Sequence, residues 1–139
     1  SIRKAEDPLR VARANAADLI IIKAAPLGGV RRALAIVEQA QLPTVVSSAL
    51  ETSVGIATGA ALAASLPTLK YGCGLGTVSL MAEDVAEDPM IAHDGLMRVR
   101  AVEPNPQRLE RLAADEPTRR WWAERVSRCY RVLERIHRG

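Results

Sequence analysis

The stretch IIIKAAPLGG, Ile20 to Gly29, decides how the chain folds. Three isoleucines in succession, inside the apolar run Leu19 to Ala25, predict a short strand of the kind buried in parallel sheets. Pro26 and the Gly28-Gly29 pair then break the chain. Lys23 stands at the outlet of that strand, where an ammonium group is hardest to reconcile with an apolar surrounding.

The segments on either side give the strand its context. Beyond it, Val30, Ala33, Leu34, Val37 and Ala40 recur at helical spacing with Arg31, Arg32 and Glu38 between them. Gln41-Leu42-Pro43 leads into Thr44-Val45-Val46-Ser47-Ser48, β-branched and short, a second strand. A second helix is expected from Thr52 to Leu66. It is rich in alanine and low in charge, which predicts almost complete burial, and Pro67 ends it. A third strand is expected around Tyr71 to Leu75. On the N-terminal side, Asp7 to Asn15 is amphipathic, with Leu9 and Val11 among arginines.

Strand, helix, strand, helix, strand predicts an α/β fold with parallel pairing through right-handed crossovers. An open doubly wound sheet and a closed eightfold barrel both use such units. Both gather ligands at the carboxyl ends of the strands. Those positions hold Lys23, then Ser47 and Ser48, then Gly72 to Gly76.

Composition narrows the class. With 139 residues, 48% of them hydrophobic and 25% charged, the chain has the size and balance of one soluble globular domain. No apolar run approaches the roughly 18 residues of a transmembrane helix, and no leader pattern opens the chain, so the expectation is cytoplasmic with no membrane partner. Cys73 and Cys129 form no CxxC pair and are expected to be reduced and buried. Residues 1–97 carry eight basic and ten acidic side chains, and residues 98–139 eleven and six, so the net charge of +3 resides in the tail. There the arginines alternate with Glu110, Glu124 and Glu134, and no helix-turn-helix, zinc-finger or RNP pattern accompanies them, which argues against nucleic acid.

Each candidate residue has a functional and a plain reading. Desolvation at the mouth of a barrel would turn Lys23 into a base; kept protonated, it would lie against an anion or a π-face. It would equally serve as a structural lysine snorkelling to water. The turn Ser47 to Ser53 offers backbone N–H groups and hydroxyls to a carboxylate or phosphate, or is a helix cap in which Glu51 or Thr52 satisfies the first-turn amides. G-x-S-x-G is absent, and no nearby histidine suggests a serine nucleophile. In Gly72-Cys73-Gly74-Leu75-Gly76-Thr77 the third glycine of G-x-G-x-x-G falls on Thr77, so the segment reads more simply as a strand end allowing close backbone approach. His93-Asp94-Gly95 predicts a hairpin turn between Met90–Ala92 and Met97–Arg100. Pro117 is expected to open a helix whose Trp122, Val126, Cys129, Leu133 and Ile136 form one apolar stripe. His93 and His137 read as solvated, since neither has a second ligand at useful spacing.

"IIIKAAPLGGV", "VVSSALETSVG" and "YGCGLGT", in this order and spacing, resemble the C-terminal half of the o-succinylbenzoate synthases of the enolase superfamily. The Asp94-Gly95 turn, Glu103-Pro104 and the paired Trp121-Trp122 are similar to the actinobacterial branch. The resemblance implies a modified (β/α)7β barrel with a separate α+β capping domain. Residues 1–89 would be the C-terminal part of that barrel, and residues 90–139 a hairpin and helix packing on the barrel or the capping domain. Lys23 would lie on the sixth strand, Ser47 to Ala49 would close the seventh, and Gly74 would end the eighth.

The activity implied is a magnesium-dependent syn dehydration of a succinyl-hydroxycyclohexadiene carboxylate to o-succinylbenzoate, in menaquinone biosynthesis. A lysine on the second strand removes the proton alpha to a carboxylate, Mg2+ stabilises the enediolate, and hydroxide departs. Lys23 would hold its ammonium against the ring and the anionic intermediate. Ser47, Ala49 and Gly74, with Ser48 in the same turn, would receive the succinyl carboxylate of this small-molecule substrate. The family's metal ligands and second lysine come from earlier strands, so none is expected in this chain. The expectation is therefore a piece of a larger protein, inactive without the missing N-terminal half that would be its partner. N-succinylamino acid racemization, with Lys23 as a base, and a non-catalytic α/β module binding a partner through its terminal arginines remain the alternatives.

Overall fold

The computed structural model describes residues 7–138, with side chains through Ile136, so His137 lies outside the described side chains. Helix α1 spans Asp7–Arg13, strand β1 Ile20–Ile22, α2 Val30–Ala40, β2 Thr44–Val46 and α3 Ser53–Ala64. A 3-10 turn at Thr77–Leu80 follows, then α4 at Pro106–Arg111 and α5 at Glu116–Arg138.

β1 and β2 pair in parallel, with Ile20 opposite Thr44, Ile21 opposite Val45 and Ile22 opposite Val46. Successive strand side chains point to opposite faces. Ile20, Ile22 and Val46 therefore enter one core with Ala33 and Ile36 of α2 and Ile56, Ala60 and Leu62 of α3. Ile21 points the other way and is 53% exposed. The run of isoleucines predicts cover on both faces, and within this chain helices cover one.

The third strand expected at Tyr71 to Leu75 contracts to one parallel bridge between Ser47 and Gly74. Ser48 N–H donates to the Gly74 carbonyl and Gly74 N–H to that of Val46, each at 2.9 Å. Gly72, Gly74 and Gly76 bring no side chains to pack, and strand interiors lose stability at glycine, so the ladder stops there. The near-total burial expected of the second helix is also corrected. Ser53, Ile56, Gly59, Ala60, Leu62 and Ala63 are buried, while Val54, Thr58, Ala61 and Ala64 face outward. Low charge permits burial, but only the side against the sheet receives it.

The expected hairpin reduces to an antiparallel bridge between His93 and Leu96, whose N–H groups donate to each other's carbonyls at 2.9 and 2.8 Å. Asp94 and Gly95 take φ values of 51° and 75°, as a two-residue turn of this hand requires, but the flanks do not form strands. His93 is exposed.

α4 lies outside the sequence expectations, although Asn105-Pro106 announces it. The Asn105 side chain accepts the Arg108 N–H at 3.0 Å, and proline takes the first turn. α5 begins one residue before Pro117, capped by Asp115, whose carboxylate accepts the Thr118 N–H at 3.0 Å. Along its apolar stripe, Trp122, Val126, Leu133 and Ile136 are each more than half exposed. Trp121 and Trp122 meet edge to face at 4.8 Å, and the Arg125 guanidinium lies over both rings. Cys129 is exposed and Cys73 half-buried, both free, which corrects the burial expected of them. Among the described residues no helix is long and apolar enough to cross a membrane.

Candidate functional site

The alternation that buries Ile20 and Ile22 turns Ile21 and Lys23 to the opposite face, and on β2 the same parity brings Ser47 beside Val45. Lys23 consequently reaches across the sheet. Its Nζ donates to the Ser47 hydroxyl at 3.4 Å and, in a closer hydrogen bond, to the Ser48 carbonyl. The chain leaves this outlet through Gly28 and Gly29, at φ 88° and 105°, a left-handed path that glycine permits and that lets α2 start immediately.

The Ser47 hydroxyl also lies 3.3 Å from the Gly74 carbonyl. A Cβ on Gly74 would stand 3.1 Å from Ser47 Oγ. The close approach that demands glycine here is made by a serine side chain. Ser48, only 2% exposed, turns to the helical side, where its hydroxyl donates to the Gly74 carbonyl at 3.0 Å and accepts from Thr77 Oγ1 at 2.8 Å. Lys23, Ser47, Ser48 and Gly74 are thus brought together, with Thr77 as a member the sequence reading did not single out.

Ala49 is exposed beside them, and its N–H donates to Glu51 Oε2 at 2.8 Å. The backbone donors differ sharply in availability. Ser47 N–H is committed to the Ile22 carbonyl, Ser48 N–H to Gly74, and Gly74 N–H to Val46. Of the four amides on the residues assigned to a carboxylate, only that of Ala49 lies outside the sheet ladder. The Lys23 ammonium and the Ser47 hydroxyl are the side-chain donors that accompany it.

The turn is anchored from a distance. Glu51 bends back to Ala49, and Thr52 caps α3 without a side-chain bond. The cap comes instead from Asp84, whose carboxylate accepts the Ser53 N–H at 3.0 Å and the Ala86 N–H at 3.4 Å. Ser53 Oγ in turn accepts the Met90 N–H at 2.8 Å. Burial raises the Asp84 carboxyl, but the hydrogen bonds from Ser53, Ala86 and Val85 together outweigh it and hold the group below its ordinary value. No local pattern announces this residue, because its target lies 31 positions earlier.

Among the described residues no group of three or more His, Cys, Asp or Glu side chains is arranged to hold a metal. The donor set at Lys23 does not fit magnesium, which takes oxygen ligands and above all carboxylates. An open cleft of about 570 Å3 lies at the other end of the strand pair, lined by Leu34, Val37, Leu42, Pro43, Thr44 and Lys70 among others. It is at the amino end of β2, away from the residues described here.

Comparison with known proteins places the chain in a family. The chain is 55% identical over 133 residues to an o-succinylbenzoate synthase of Mycolicibacterium smegmatis, covering 96% of this chain and 41% of that protein. It is 52% identical to one of Mycobacterium leprae, covering 96% and 40%. The chain therefore spans about two fifths of the length of these curated relatives. Among solved structures, the muconate lactonizing enzyme of Pseudomonas putida superposes with a TM-score of 0.72 at 28% identity, over 82% of this chain and 34% of that one. The 2-chloromuconate cycloisomerase of Rhodococcus opacus 1CP gives 0.70 at 27%, over 83% and 33%. A family described as enolase C-terminal domain-like matches residues 1–105, a span that runs through β1, the Ser47 turn, α3 and the Gly74 bridge. The chain belongs to the enolase C-terminal domain-like family.

Proposed function

We propose that this chain is the C-terminal barrel portion of an o-succinylbenzoate synthase, and that it supplies the cation and the carboxylate seat for a syn dehydration. The observation that carries this reading is the Lys23 ammonium meeting the Ser47-Ser48 turn at the carboxyl ends of two parallel strands. The relatives of that name, 52–55% identical across nearly the whole chain, support it.

In this assignment the Lys23 ammonium faces the ring and the anionic intermediate. A fixed donor aimed at developing charge is worth about 3–4 kcal/mol in a water-poor site. The Ser47 hydroxyl and the Ala49 amide receive the succinyl carboxylate. Ser48 and Gly74 hold the turn from behind. The proton alpha to the ring carboxylate leaves to a base outside this chain. Magnesium and its ligands likewise belong to the remainder of the barrel, and no step assigned to the present residues passes through that ion. Residues 1–89 close one side of the barrel in this view. Residues 90–139 clothe its exterior or the capping domain, with α5 covered by the rest of the protein. The ligand is a small carboxylate rather than nucleic acid or a membrane.

The test is an assay of a full-length protein carrying this sequence with the succinyl-hydroxycyclohexadiene carboxylate and, in parallel, with N-succinyl amino acids. Dehydration lost on Lys23→Ala supports the assignment. Racemization alone makes Lys23 a base instead, and activity untouched by the substitution removes the enzymatic reading of this residue.

A further inference from the structure

Building on the carboxylate-binding role proposed above for the Ser47–Ala49 turn, we infer that Glu51 is a built-in occupant of the carboxylate seat, displaced when a ligand carboxylate takes the Ala49 amide. Of the Ser47, Ser48 and Ala49 amides, that of Ala49 alone is not held by the sheet, and a carboxylate already sits on it at 2.8 Å. Among the described residues that amide is the only hydrogen-bond partner of the Glu51 carboxylate. One N–H cannot serve two carboxylates at full strength, and two like charges within a few ångströms repel. Ligand and Glu51 therefore exclude each other at this position.

Two further features show that the Glu51 placement is built in. Its side chain folds over the first turn of α3, where residue 55 is glycine. A Cβ there would lie 2.5 Å from Glu51 Cβ and 2.9 Å from Cγ, close to the backbone rather than at a movable tip. Any larger residue at 55 must push Glu51 aside. Leu50, between the two bonded residues, is held at φ 65°, a left-handed conformation unfavourable for a bulky side chain, with that side chain 63% exposed. The bond from Ala49 N–H to Glu51 closes over this strained residue.

Such an occupant trades one carboxylate for another. The amide is never left without an acceptor, binding at that point is close to an exchange, and a product carboxylate is readily released. The experiment is a calorimetric titration of the full-length protein with o-succinylbenzoate, beside steady-state kinetics. Glu51→Gln keeps the shape and removes the competing charge. It is expected to tighten product binding about three- to tenfold and to lower KM, with kcat unchanged or reduced by slower release. Gly55→Ala, which displaces the same side chain, is expected to act in the same direction, and the double variant to fall short of the sum. Product binding that is unchanged or weaker in Glu51→Gln, above all with a lowered melting temperature, would show a structural brace and overturn the inference. Wild-type protein that does not bind o-succinylbenzoate overturns the functional reading itself, and the wild-type titration alone reveals that case.

Discussion

The Lys23 ammonium donates to the carbonyl of Ser48 although 25 positions separate them, so the outlets of β1 and β2 are joined by a side chain as well as by the ladder. Removing the ammonium should affect turnover far more than folding. In a full-length protein, Lys23→Ala is expected to lower kcat/KM by at least about a hundredfold. Lys23→Arg should not restore it, because a planar guanidinium cannot reproduce a compact ammonium with three rotatable donors. Steady-state kinetics beside thermal melting separates the two effects. An equal loss of stability and activity would make Lys23 a structural link between strands.

Gly74 and Ser47 form a steric pair. A methyl group on residue 74 would come within 3.1 Å of Ser47 Oγ but 3.5 Å from Ser47 Cβ, the second distance being ordinary contact. Gly74→Ala should therefore lower the melting temperature, and Ser47→Ala combined with it should recover much of the loss. Activity should stay low in the double variant, since the hydroxyl beside Lys23 is gone. Failure of the double variant to regain stability would mean that the backbone at 74, rather than the serine, sets the need for glycine.

Asp84 gives the stability of this region a definite response to acid. Its folded pKa lies below the unfolded value, so its contribution is complete above the unfolded carboxyl range near about 4 and is lost as pH falls through the folded value. Asp84→Ala removes the cap on Ser53 and is expected to cost about 1–2 kcal/mol at neutral pH, comparable to losing a helix N-cap. Urea midpoints measured from pH 7 downward should show a shallower acid limb in this variant than in wild type. Parallel acid limbs would assign the pH dependence to other carboxylates.

How far the sequence carries depends on whether a signal is local. β1, α2 and β2 were legible because three isoleucines, a 3.6-residue apolar recurrence and a β-branched pair each act within a few residues. Lys23 and Ser47 were legible as site candidates because strand outlets are where parallel α/β folds bind ligands. Burial of Ser48 followed from strand parity, which the residue types of a Ser-Ser pair do not reveal. The Asp84 cap was illegible because its partner is remote in sequence. The commitment of three amides to the ladder depends on Gly74 bridging Ser47, a pairing across 27 positions that no local pattern encodes. The stripe of α5 was legible, but a sequence pattern says that a face is apolar and not what covers it.

The parity of β1 provides a test of whether the strand pair is part of a closed barrel. Ile22 is buried against α2 and α3, and Ile22→Ala is expected to cost about 2–5 kcal/mol wherever the fold is measured. Ile21 sits on the opposite face and is 53% exposed. In a closed barrel that face looks inward and is filled by side chains from the other strands. Ile21→Ala in the full-length protein should then approach the cost of Ile22→Ala, since a cavity is created in a second packed layer. In an open arrangement it should cost less than about 1 kcal/mol, as an exposed apolar residue does. Denaturant unfolding of the two variants beside wild type reads the difference directly, and a negligible effect of Ile21→Ala would contradict the barrel assignment.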